Sequence, residues 1–132
     1  MWLFTETGFV SAVQHTGLKD TLMVRARDRE SLVPLASLCD TDIMNTPNAD
    51  YPYRVVATKD MFGKWVSDSI DFLDYSNYKS RVAVTRGKSF AHTLGSVWSI
   101  MHDVEDSGAR GNAIDYDAEW DDASEEHSKA LS

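Results

Sequence analysis

Apolar and polar positions alternate along residues 21–27. Leu22, Val24 and Ala26 fall on one side and Met23, Arg25 and Arg27 on the other, as in a strand with one face in a core. Residues 53–58 repeat the pattern, with Tyr53, Val55 and Ala57 opposed to Arg54, Val56 and Thr58. Upstream, the apolar run Trp2 to Thr5 and the loosely alternating Phe9 to His15 flank Glu6-Thr7-Gly8. That order predicts a β-hairpin, with Gly8 supplying the positive φ of a tight turn. A second turn is expected around Gly17, and a small strand over residues 42–45.

Elsewhere the period lengthens towards 3.6. Leu32, Leu35 and Leu38 predict a short helix over residues 31–39. Asp28 and Ser31 are both candidate caps, and Pro34 favours Ser31, from which it falls in the first turn. Phe62, Trp65, Val66, Ser69 and Leu73 form a helical stripe in "KDMFGKWVSDSIDFL". Ser76 or Asn77 can cap a helix that Gly87 ends, although Val82 and Val84 would also fit a strand. Phe90, Leu94, Val97, Trp98, Met101 and Val104 mark the clearest helix, with Ser89 expected to cap its start and Gly108 its end. The order β-β-β-α-β-β-α-α-α predicts the α+β class: a mostly antiparallel sheet with helices packed on one face. A compact domain is expected over residues 1–108, followed by an acidic flexible tail over residues 109–132.

Charge sharpens that division. The net charge is −8, yet residues 1–102 hold 11 basic and 11 acidic groups, while residues 103–132 hold ten acids against Arg110 and Lys129. The candidate basic residues therefore sit on a neutral body. No apolar run approaches the length of about 18 residues that a membrane span needs. "MWLFTETGFV" has no basic stretch before its apolar residues and carries Glu6, so a secretory signal is not expected. A single cysteine, Cys39, excludes an intramolecular disulfide, and a reducing cytoplasmic setting is the simplest expectation.

Arg25 and Arg27 would project from the solvent face of their strand, and Arg54 from a neighbouring strand if the two pair. Beside Tyr51 and Tyr53, such guanidiniums can hold an oxyanion while the rings stack. The simpler account is a solvated strand face with Asp28 and Glu30 pairing nearby. In the tail, Tyr116 and Trp120 are interleaved with carboxylates, a composition that docks on basic surfaces as readily as it serves solubility alone. Asp115, Asp117, Glu119 and Glu126 match calcium-loop spacing, but Trp120 stands where that loop needs glycine. "TRGKS" has Val82 where a phosphate-binding loop needs its first glycine. No catalytic residue, cofactor or metal ligand set is assigned.

Taken in order, "MWLFTETGFVSAV", "LMVRARDRESL", "ADYPYR", "IDFLDYSNYKSRV" and "VWSIMHD" resemble a family of short proteins of actinobacteria and their phages that carries no assigned activity. The resemblance covers about residues 1–103. Its motifs run through Arg25, Arg27, Tyr53, Arg54, Tyr75, Asn77 and Lys79, and it implies a phage-type protein of the host cytoplasm. Combined with the residue reading, these seven positions form an expected partner surface, with Tyr116 and Trp120 a second contact. The expected function is binding or regulation of a host or cellular macromolecule, a protein being favoured. The alternative is a nucleotide- or RNA-processing enzyme that uses the same residues as a phosphate site.

Overall fold

The apolar run at the start folds as the sequence predicts. In the computed structural model, which describes residues 1–106, β1 (Trp2–Thr5) and β2 (Gly8–Gln14) form an antiparallel hairpin around Glu6 and Thr7, with Gly8 at φ 146°. The chain turns again around Gly17, as expected. Gly17 does not take a positive φ; Asp20 does, at 51°. His15 organises the turn, its Nδ1 accepting from the backbone N–H groups of Gly17 and Leu18 at 3.0 Å each. A short polar side chain tolerates the left-handed region, so aspartate serves at that position.

Strands β3 (Thr21–Ala26), β4 (Met44–Asn45) and β5 (Tyr53–Thr58) complete a five-stranded antiparallel sheet in the order β1-β2-β3-β5-β4. The register pairs Val24 with Ala12 on one side and with Val55 on the other. One sheet face thus gathers Val10, Ala12, Val24, Ala26, Val55 and Ala57, all buried. Helices α1 (Val33–Cys39) and α2 (Lys59–Asp71) cover that face, contributing Leu35, Ala36, Phe62 and Trp65, with Leu32 just before α1.

Helix α1 is preceded by a 3-10 turn over Glu30–Leu32, so Ser31 is no cap. Its hydroxyl donates to the Asp28 carboxylate and accepts from the Phe9 N–H at 3.3 Å, tying the turn to β2. Thr58 caps α2, its Oγ1 accepting from the Met61 N–H at 3.2 Å. The stripe on α2 stops short of Leu73, which lies past the helix end and is exposed.

The chain divides into two compact units, one of Met1–Asp74 and one beginning at Tyr75. In the second, α3 (Tyr78–Arg86) and α4 (Lys88–Ile100) pack around Val82, Ala91 and Leu94, followed by a 3-10 turn over Met101–Val104. Asn77 caps α3, its Oδ1 accepting from the Ser80 N–H at 2.9 Å. Gly87, at φ 95°, ends α3 and opens α4 in one residue, which is why Ser89 is not the cap. Gly108 and the predicted tail lie outside the described residues.

Candidate binding surface

Residues directly opposite one another in a sheet project to the same side. Trp2 pairs with Ser11, Ser11 with Arg25, Arg25 with Arg54, and Arg54 with Met44, so one row crosses all five strands. The row lies on the face opposite α1 and α2. Two residues along each strand, the same face carries Phe4 paired with Phe9 and, in the other direction, Val13 and Val56 flanking Met23.

The flanks of this face are apolar and exposed, while Ser11 and Tyr51 at its centre are buried. Trp2 is 67% exposed, Phe4 37%, Val13 39% and Met44 42%, whereas Val24 and Val55 on the other face are fully buried. Phe9 anchors the cluster. Its ring stacks on Phe4 at 4.5 Å and meets Trp2 edge-on at 5.5 Å. Half-exposed rings on one sheet face mark an interaction surface more often than an ordinary solvent face, which carries polar side chains.

The middle of the face is cationic. Arg25 donates from Nη2 to the Ser11 hydroxyl at 2.9 Å, and its Nε is buried without an acceptor. The loop after β4 returns Tyr51 to this side, where the ring lies under two guanidiniums, 4.5 Å from Arg25 and 4.7 Å from Arg27. Arg54 donates from Nε to the Tyr51 carbonyl at 3.3 Å. Arg27, just past the end of β3, is neutralised by Asp50, through the carboxylate at 3.1 Å and the carbonyl at 3.0 Å. Asp50 takes the part expected of Asp28 and Glu30.

Arg25 and Arg54 have no carboxylate partner among the described residues. Two cations directly opposite on neighbouring strands repel, and such a pair weakens a sheet. A guanidinium offers five N–H donors, and each of these two commits one to a neighbour within the fold. The arrangement can therefore receive an oxyanion between the two strands.

Of the residues singled out in the sequence, Arg25, Arg27 and Arg54 converge here. Tyr53 does not: its strand alternation turns it to the helix-covered face, where it packs against the core. Tyr51 occupies the stacking position instead. Tyr75, Asn77 and Lys79 belong to the second unit, at the start of α3. There Asn77 is the helix cap, Tyr75 lies 6.2 Å from Tyr78, and Arg81 sits 5.3 Å over the Tyr75 ring. Burial, and secondarily the neighbouring Tyr75, push the Tyr78 phenol pKa well up. Tyr116 and Trp120 lie outside the described residues. The Cys39 thiol is pushed up by burial, away from the thiolate that a nucleophile needs.

Sequence reasoning missed Trp2, Phe4, Phe9 and Ser11 as surface residues. The available signal was that the hairpin strands carry large apolar residues at both parities, so one set had to face away from the core. Comparison with protein-family models, with curated proteins and with solved structures finds no match to the chain.

Proposed function

We propose that this chain is a binding module that engages a partner protein through the outer face of its sheet. The observation that carries the reading is the joining, on one face, of the exposed Trp2–Phe4–Phe9 cluster with two arginines that lack carboxylate partners among the described residues. Aromatic residues and arginine are the types most enriched among residues that dominate binding energy at protein interfaces. The likeness to short actinobacterial and phage proteins supports a regulatory role in the host cytoplasm. No helix among the described residues is long and apolar enough to cross a membrane. Tyr116 and Trp120 are a second contact in this reading.

The test is capture from host lysate, with and without nuclease, using the full chain and its Arg25→Ala/Arg54→Ala variant. A discrete protein that survives nuclease and is lost with the double variant is the expected result. Capture unchanged by the double variant would remove these arginines from the interface.

Two arginines without a carboxylate partner among the described residues also favour a second reading, a nucleotide- or RNA-processing enzyme that holds phosphate between Arg25 and Arg54. It predicts nucleotide co-purifying with the protein and binding that weakens steeply with salt.

A further inference from the structure

The two halves of the outer face are separated across the strands, and their separation specifies a ligand. Neighbouring strands lie about 4.8 Å apart. A group held midway between Arg25 on β3 and Arg54 on β5 is therefore about 7 Å from the β2 line and about 12 Å from Trp2, which lies in the same row on β1, while Phe9 and Phe4 stand about 7 Å further along their strands. An extended peptide advances about 3.3 Å per residue and turns alternate side chains to the same side. Residues i and i+2 then span about 7 Å, and i and i+4 about 13 Å, both facing the sheet.

We infer that the surface takes an extended acidic protein segment lying across the strands. Its Asp or Glu carboxylate docks between Arg25 and Arg54, and an apolar side chain two or four residues away lies on the Trp2–Phe4–Phe9 cluster. This rests on the binding-module reading and supplies the chemistry of the partner. Odd spacings fail because the apolar side chain then points away from the sheet.

Charge selects a carboxylate-bearing peptide over a nucleic acid. Residues 1–74 hold seven Lys and Arg against eleven Asp and Glu, a net of −4 that repels a polyanion. Among the described residues, the cations not neutralised on this face are Arg25 and Arg54, because Arg27 is held by Asp50. Two guanidiniums match one carboxylate and cannot track a chain of phosphates.

The test uses the full chain and fluorescein-labelled decapeptides of Gly and Ser that carry one Glu and one Phe, set one to five residues apart, with oligouridylate as the competing probe. Fluorescence anisotropy should show the separations of two and four binding about tenfold tighter than one, three and five. Arg25→Gln/Arg54→Gln should abolish binding at every spacing. Trp2→Ala/Phe4→Ala should erase the spacing preference while thermal unfolding confirms that the variant folds. Equal affinity at odd and even spacings, or no binding of any peptide, overturns the inference. The binding-module reading survives either outcome if lysate capture still depends on the two arginines. Oligouridylate binding tighter than every peptide overturns both.

Discussion

Two residues with equal claims to being hydrophobic, Leu35 and Trp2, do opposite work. Leu35 is fully buried beneath the sheet, so Leu35→Ala should cost about 2–5 kcal/mol, measured as a lowered urea midpoint. Trp2 is two-thirds exposed, and Trp2→Ala should cost less than about 1 kcal/mol while impairing partner capture. Arg54 should behave more unusually. Relieving its repulsion with Arg25 by Arg54→Gln should stabilise the folded chain by about 0.2–1 kcal/mol at low ionic strength, a gain that shrinks as salt screens the pair. A loss of stability in that variant would mean that the two charges do not oppose folding. Tyr78 has a pH signature. Its phenol pKa is raised in the folded chain, so its contribution is complete below the unfolded value of about 10 and declines as pH rises beyond it. Tyr78→Phe should flatten the alkaline limb of stability against pH, as read from urea midpoints between about pH 9 and pH 11.

At the scale of elements, local pattern carried the reading wherever the decisive physics is local. The alternation in residues 21–27 placed Arg25 away from the core and Val24 within it, and both stand so. Asn77 was a legible cap because a side-chain oxygen three residues before an amide is a purely local match. Capping of α2 by Thr58 has the same origin, and Thr58→Ala should cost about 0.5–2 kcal/mol, checked by denaturant unfolding. Non-local features were not legible. Nothing in the 26 residues between Arg27 and Arg54 states that β3 and β5 are neighbours, and register alone sets their arginines opposite each other. The exchange of Tyr53 for Tyr51 has the same cause, since it depends on a loop folding back over the sheet. Gly87 shows a local limit: its positive φ serves two helices at once, and propensity cannot distinguish one long interruption from an immediate restart.

Over the whole molecule, charge is unevenly distributed: residues 1–74 are net −4, and residues 103–132 hold ten acids against two basic groups. The first unit is net acidic and yet keeps two cations without acidic partners among the described residues, beside an exposed aromatic cluster. Arginines kept in this way are what the proposed binding surface requires for a partner's anion. The most direct test places a photo-crosslinking residue at Val13 on this face, and separately at Lys64 on α2, in the full chain expressed in cells. The account predicts a protein adduct from position 13 that disappears with Arg25→Gln/Arg54→Gln, and none of comparable yield from position 64. Adducts from position 64 alone, or from position 13 regardless of the arginines, would contradict it.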